Sequence, residues 1–578
     1  MEIRKVVASL SALISISALA GNLVQLNEQQ IKNPQELLGN TLNSSQNNFT
    51  ELSSIRVGDK TYTRYQQTYK GIDIIGAQVI LKKNNTQRMD NTLANGVLVN
   101  DINVDTNPAI DRDSAIANAM ADFNHDNNGY RIIDEPQQKP YAQLKILPKN
   151  DGQDTLVYVV SFRANRVGAA PKWMFYYIDP TTAKVIQKWD NIQNYNGENQ
   201  PSTTTSPKVK QSSGLSYQEI AVGGNQKTGQ YYYGANGIPY LIVRQENNAC
   251  WVSSDNVDTV DLHQGTSTTT TPALYTCGNW YGDMVNGAYS AVHDAQYFGE
   301  IVYDLYEKWY SIDPLYNSDS TPRKLTMRVH YGQSYENAFW DGQAMTMNFG
   351  DGYSVFYPLV SLDVSSHEVS HGFTQQHSNL IYANESGSLN EAFSDMAGQA
   401  ARAYLLSLNS TSYKTFFPND PTGEISWKLG EMIYKTPGAA LRYMNAPSTD
   451  GISADCVDKS MAGKDCKITY QDVVNRSGGN QGYIVHTGSG VFNKAFYLLS
   501  SAWARQNQEM GLSNHFAEGV KEAFHVMLLA NLGYWTPNID FSQAACDVIK
   551  ATKSLNYNTN DVVEAFEAVG ISTETCNL

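Results

Sequence analysis

The stretch Val364-Ser365-Ser366-His367-Glu368-Val369-Ser370-His371-Gly372-Phe373 decides how the rest of the chain is read. Wound as a helix, its His-Glu-x-x-His pattern puts His367 and His371 one turn apart on the same face. Two imidazoles on a rigid support can share one metal ion, and Glu368 beside them can reach a water on that ion. A carboxylate so placed is a general base. The competing reading is an amphipathic core helix with two hydrogen-bonded histidines. The flanking sequence has to separate the two.

Two histidines do not close a catalytic zinc site; three protein ligands and one open position are expected. One candidate for the third is His377, six residues after His371, as in the HExxHxxGxxH pattern. That pattern needs a glycine three residues after the second histidine so that the chain can turn. Thr374 stands there, and no Met-turn is recognisable. The other candidate is Glu391 in Ser388-Leu389-Asn390-Glu391-Ala392-Phe393-Ser394-Asp395. Ser388-x-x-Glu391 also reads as a capping box, with Glu391 folded back on its own helix start. Asp395, one turn on, favours the ligand reading, because it can accept the second N–H of a ligand histidine.

The remaining sequence sets the frame. A chain of 578 residues suggests three or four units. Hydrophobic content of 41% with 17% charged residues describes globular matter, and a net charge of -15 disfavours nucleic acid as a partner. Arg4 and Lys5 precede the apolar run from Val6 to Leu19, which closes on Ala18-Leu19-Ala20. This reads as a secretory signal peptide over 1–20, cut after Ala20; the alternative is a membrane anchor, for which the run is short and Ser-rich. No other run is long and apolar enough to span a bilayer, and the net charge suits a soluble, monomeric, exported protein. Six cysteines in an exported chain read as disulfides. Local pairing, Cys250–Cys277, Cys456–Cys466 and Cys546–Cys576, is the simplest of the connectivities. No CxxC occurs, which argues against a cysteine-type zinc site.

In chain order, residues 21 to about 50 are Asn/Gln-rich and read as loosely ordered. Strands follow at Lys60–Tyr69, Gly71–Gly76 and Ala77–Leu81, with a helix from Ile110 to Phe123 opening on Asp111 or Asp113. Strands resume at Gln143–Leu147, Thr155–Phe162, Lys172–Asp179 and Val185–Trp189. This N-terminal module (21–205, strand-rich over about 50–105 and α+β over about 108–190) carries no catalytic constellation. Residues 191–220 are polar and rich in Asn, Ser, Thr and Pro, a cleavable linker. An empty module, a nickable linker and a metal region make a zymogen layout; a simple two-domain secreted protein is the alternative. The remainder divides into a β-rich lobe over 221–365 and a helical lobe over 366–578. The predicted helices are one within Gly282–Tyr310, then Leu359–Gln376, Ser388–Leu408, Ser489–Asn507, His515–Asn531, Phe541–Lys553 and Thr559–Val569. The metal helix lies at the junction of the lobes, where ligand sites concentrate.

His367-Glu368-x-x-His371 followed by Asn390-Glu391-Ala392-x-Ser394-Asp395 resembles the thermolysin family of secreted zinc metallopeptidases. The chain is most similar to the pseudolysin and vibriolysin branch (bacterial elastases) of Gram-negative bacteria. The resemblance covers about Gly223 to Ile571 and, more weakly, the N-terminal module. It implies an α+β fold: a two-lobe catalytic domain with the zinc helix between the lobes, behind an α+β propeptide that assists folding and inhibits until cleaved. It implies one catalytic Zn2+ on His367, His371 and Glu391, Glu368 as base, and Asp395 and Asn390 as partners of the ligand histidines. Tyr382 and His486 would stabilise the oxyanion. Asn337 and the Ala338 backbone would hold the substrate strand, and Arg442 the carbonyl past the scissile bond. Phe356, Leu359, Val364 and Leu441 would form the apolar pocket for the residue after the cut. The expected activity is endopeptidase cleavage of proteins and peptides before hydrophobic residues by zinc-activated water attack, after export through the periplasm. Cys250–Cys277 and Cys546–Cys576 also match this branch, and no binding module is expected after Ile571.

The chain departs from the branch in two places. The acid that often precedes the second oxyanion donor is absent from Asn480–Val485, which leaves His486 without an evident orienting partner. The branch's calcium site uses an acid four residues before the first zinc histidine and two acids on the third-ligand helix. Asp363 matches the first, but Gln399 and Arg402 stand at the others, and a guanidinium does not belong beside a calcium ion. Outside this family, the readings that remain are a metzincin-type peptidase using His377 and a non-catalytic exported protein with a structural zinc.

Overall fold

The computed structural model describes residues 23–38, 42, 46–86, 92–134, 138–149, 154–166, 171–194, 214–278, 283–574 and 576. The predicted signal peptide at 1–20 and the middle of the predicted linker, 195–213, lie outside the described residues. No helix among the described residues is long and apolar enough to cross a membrane.

The alternating run Lys60–Tyr69 is a strand, flanked antiparallel by Asn47–Val57 and Ile72–Asn84. The two predicted strands 71–76 and 77–81 are therefore one strand. A backbone kink at Gly76 (φ +79°) sits in this strand where a Cβ would touch Asn538 of the C-terminal helical lobe at 3.0 Å. The expectation of loose order over 21–50 is corrected. Leu23–Ile31 is a strand paired antiparallel with Thr92–Val99, from Leu23 opposite Val99 to Ile31 opposite Thr92. Leu26 and Ile31 are buried in a cluster with Leu37, Val79 and Leu98. Burial of every few apolar residues suffices to order an otherwise polar segment.

The second half of the module is the antiparallel meander Tyr141–Leu147, Thr155–Asn165, Lys172–Ile178 and Val185–Asp190. The helix Arg112–Asp126 covers one face. Its N-cap is Asp111, whose carboxylate accepts from the Ser114 N–H at 2.8 Å. Ala115, Ala119 and Phe123, four residues apart, pack against Phe162 and Tyr176. The other face presents Phe175, Tyr177 and Trp189 to the catalytic region.

In the β-rich lobe, the strands Val257–Asp261, Leu325–Val329 and Thr346–Phe349 run parallel, and Ala338–Asp341 adds antiparallel at the edge. The helix Leu362–Gln376, expected to carry the zinc ligands, follows, buried from Leu362 to Thr374. It packs on the ligand helix Asn384–Leu408, which in turn is covered by Gly490–Glu509 and His515–Gly533. The first two of these helices approach closely at Gly398, where a Cβ would lie 2.9 Å from the Asp363 carbonyl oxygen. The ligand helix begins four residues before the predicted Ser388. Ser388 Oγ donates to the Asn384 carbonyl at 2.9 Å, so the capping-box reading of Glu391 is excluded. The cysteines pair as Cys250–Cys277, Cys456–Cys466 and Cys546–Cys576, with Cα–Cα distances of 5.0, 5.7 and 5.2 Å.

Candidate active site

His367 and His371 project from one face of the zinc helix, with their Nε2 atoms 2.9 Å apart. Glu391 closes the triangle from the ligand helix, 3.6 Å from His367 Nε2 and 3.4 Å from His371 Nε2. All three side chains are fully buried. The outer ring nitrogens are committed. His367 Nδ1 meets Asp395 Oδ1 at 3.0 Å, and His371 Nδ1 meets the Asn390 side-chain oxygen at 2.8 Å. A carboxylate or amide oxygen only accepts, so both Nδ1 atoms carry the hydrogen and both Nε2 atoms offer lone pairs. Burial, and then the neighbouring His371, push the His367 imidazole down to about 4, which keeps it neutral. Two lone pairs and a carboxylate facing one another at these distances are mutually repulsive unless a cation lies between them. The donor set of two imidazoles and one carboxylate fits zinc. His377 is not part of it. It caps the zinc helix, its Nδ1 2.7 Å from the Phe373 carbonyl, and its ring stacks on Phe373.

Glu368 is fully buried next to this triangle, and neither carboxylate oxygen completes a hydrogen bond. The Trp340 backbone lies close without reaching bonding geometry. Burial first, and the Glu391 charge second, raise its proton affinity well above that of an ordinary glutamate. Glu391 goes the other way. Burial opposes its charge, but His486, His371 and His367 around it hold its carboxyl well below the usual range. Two glutamates in one site are thus driven apart, one towards holding a proton and one towards staying ionised.

The predicted oxyanion donors converge on the same point. The Tyr382 phenol donates to Glu391, and His486 Nε2 lies 3.5 Å from that phenol oxygen and 3.6 Å from Glu391 Oε1. The orienting partner of His486 is a backbone group: Nδ1 donates to the Gly482 carbonyl at 2.6 Å. No acidic side chain is needed at 480–485. Asp395 is a hub for three side chains. Besides His367 it accepts Nε and Nη2 of Arg442 at 2.7 and 2.6 Å, and Nδ2 of Asn493 at 2.7 Å. The sequence reading missed Asn493 and the Ser394 hydroxyl, 3.1 Å from His371 Nδ1. Ser394 is one turn from Asn390 on the same helix face, a spacing that could have revealed it.

Family profiles match three parts of the chain. "Thermolysin metallopeptidase, catalytic domain" matches residues 226–375, "Thermolysin metallopeptidase, alpha-helical domain" 378–571, and "Fungalysin/Thermolysin Propeptide Motif" 47–88. The chain is 38% identical over 522 residues to a "Hemagglutinin/proteinase" of Vibrio cholerae, covering 89% of this chain and 71% of the relative. It is 34% identical to a "Neutral protease" of Vibrio proteolyticus, covering 98% of this chain and 80% of the relative. A solved "Precursor of Protealysin, Metalloproteinase from Serratia proteamaculans" aligns with a TM-score of 0.41 at 25% identity, over 55% of this chain and 89% of that one. The chain belongs to the thermolysin family of metallopeptidases. It is a zinc metalloendopeptidase made with a propeptide.

In this thermolysin-family chain the N-terminal module packs against the candidate site. Gln193–Asn194 pairs antiparallel with the edge strand Ala338–Asp341, with Gln193 opposite Trp340 and Asn194 opposite Phe339. These residues fall inside the span read as linker, as does the strand Leu215–Glu219, which pairs with Leu241–Glu246. Arg163 grips Asp341 of the edge strand through two bonds of 3.0 and 2.6 Å. Tyr177 and Trp189 pack with Tyr382, Ala383 and Val485. Arg64 donates at 2.9 Å to each of three carbonyls, Asn531, Leu532 and Trp535, at the end of the helix His515–Gly533. Positive charge at a helix C-terminus is favourable, the more so when buried. Phe356, Leu359 and Val364 are buried in the main core, and Leu441 packs half-buried against it. Asn337 is buried and its side-chain oxygen accepts from the Ala338 N–H at 2.9 Å.

Proposed function

We propose that His367, His371 and Glu391 hold the zinc ion and that Glu368 is the general base of peptide-bond hydrolysis. The observation that carries this reading is Glu368 itself, a fully buried carboxylate without a completed hydrogen bond, beside converging lone pairs. Zinc bound there supplies Lewis-acid polarisation of the peptide carbonyl and acidifies a water molecule. Glu368, beside the three ligands, is placed to take a proton from the attacking water and hand it to the leaving nitrogen. Tyr382 and His486 donate to the carbonyl oxygen as its negative charge grows. With Nδ1–H bound to the Gly482 carbonyl, His486 can donate from Nε2 only as the imidazolium. Asp395 and Asn390 fix the ligand rings, and Asn493 and Arg442 fix Asp395.

Asn337 and Ala338 hold the substrate strand along the edge of Ala338–Asp341, and Arg442 takes the carbonyl past the scissile bond. Phe356, Leu359, Val364 and Leu441 receive the residue after it. The propeptide serves as folding assistant and inhibitor: its strand Gln193–Asn194 uses the edge that a substrate needs. The enzyme acts as a secreted monomer, exported through the periplasm of a Gram-negative bacterium. The test is a set of quenched fluorescent peptides that differ only in the residue after the cut. Leu, Phe or Ile there is expected to exceed Asp by about a hundredfold or more in kcat/KM. Equal rates for Leu and Asp would contradict the assigned pocket.

A further inference from the structure

The end of the ligand helix holds a second buried ionic centre. Arg402 is fully buried. Its Nη2 donates to Asp420 at 2.5 Å and to Ser426 Oγ at 3.0 Å, and its Nη1 donates to the Lys428 carbonyl at 2.7 Å. Its guanidinium plane lies 4.3 Å over the Phe417 ring. The Tyr413 hydroxyl donates to the same Asp420 oxygen. The Asp363 charge acts on the same guanidinium, and Asp363 itself accepts from the Gly430 N–H at 2.9 Å. Gln399 donates to the Lys428 carbonyl at 3.3 Å. One cation therefore ties the ligand helix to the loop from Phe417 to Glu431, and Asp363, at the start of the neighbouring helix, joins that loop through the Gly430 N–H.

That loop leads to the active site. Lys428–Leu429 pairs with Arg442–Tyr443, and Leu429 lies opposite Arg442. Arg442 holds Asp395, and Asp395 holds His367. Asp363 is one turn before His367 on the zinc helix. A divalent cation does not fit here, because the guanidinium occupies the centre and Gln399 brings no charge.

We propose that Arg402 is a built-in cation that does the work of a bound calcium ion, locking the Lys428–Tyr443 ribbon and the zinc helix without any metal at this place. A covalently attached cation cannot dissociate, so the lock survives calcium depletion.

The test uses secreted, zinc-loaded enzyme with unfolding midpoints measured in calcium and in a calcium-selective chelator at fixed free zinc. The wild type is expected to unfold at the same temperature in both. Arg402→Glu gathers carboxylates at 363, 402 and 420, a set of oxygen donors suited to calcium. Its midpoint is expected to fall by about 10 °C in chelator and to recover in calcium. A wild-type midpoint that rises with calcium as much as that of Arg402→Glu would overturn the proposal, as would an Arg402→Glu midpoint equal to wild type and indifferent to calcium. If Arg402→Glu fails to fold, Arg402→Lys and Arg402→Gln decide. Lysine keeps the charge and is expected to stay near wild type in both midpoint and rate of zinc loss to a chromogenic chelator. Glutamine is expected to unfold earlier and to lose zinc about tenfold faster. Equal behaviour of the two variants would overturn the proposal.

Discussion

The ligand helix Asn384–Leu408 carries two buried ionic centres that are opposites. Near its start, Glu391 faces His367 and His371 across distances of 3.4 to 3.6 Å, its Oε2 without a hydrogen bond though 3.8 Å from Arg442 Nη2, and Glu368 lies unbonded beside it. Near its end, Arg402 fills the space between Asp420, Ser426 and the Lys428 carbonyl. The first centre has more acceptors than donors; the second brings its own cation. Acidic residues occur at both, so acid content alone does not mark a metal site. The marker is the sign of the imbalance, since buried acceptors without donors are costly and need a cation from outside.

The largest effect that could break this contrast is loss of the metal. Glu391→Ala is expected to lose zinc on dialysis and activity with it, whereas His377→Ala keeps both. Zinc retained in the first and lost in the second would move the third ligand to His377. A smaller effect is expected at His486. His486→Ala is expected to lower kcat by about a hundredfold with little change in KM. Near wild-type turnover would remove His486 from the mechanism.

The smallest effect concerns a third buried cation, one that can titrate. His330 lies between Asp283 at 2.9 Å and Asp351 at 2.6 Å. Burial opposes its charge, but hydrogen bonds to Asp283 and Asp351 outweigh it and raise its pKa well above 6.5. A raised histidine contributes stability that is complete below its unfolded pKa and is lost as pH rises through its folded pKa. The wild-type midpoint is therefore expected to fall by several degrees from neutral to alkaline pH. His330→Gln is expected to flatten that fall, and an unchanged pH profile would contradict it. Arg402, which does not titrate in this range, adds no such slope.

The candidate metal site was legible because its chemistry is local. His367, Glu368 and His371 sit within one helical turn or so, and Glu391 and Asp395 follow on the next helix at one-turn spacing. Positions set by distant contacts were not legible. Leu23–Ile31 is ordered by partners at 92–99, far along the chain, so its polar composition misleads. The start of the ligand helix was misplaced because Ala383 at its N-cap offers no side-chain cap, while Ser388 inside the helix mimics one. The partner of His486 is a backbone carbonyl, which no residue type announces. Arg402 read as a missing calcium ligand. Its role as the cation depends on Asp420 and Ser426, brought to it by the turn after Phe417.

The site's assignment rests on Glu368 acting as a base and not as a ligand. Glu368→Gln preserves shape and removes only the proton acceptor. Zinc content and casein hydrolysis measured on the same secreted samples separate the two roles. The expected result is one zinc per chain in both proteins, with hydrolysis by the variant lower by about a thousandfold or more. Hydrolysis at wild-type rate by Glu368→Gln would contradict the mechanism.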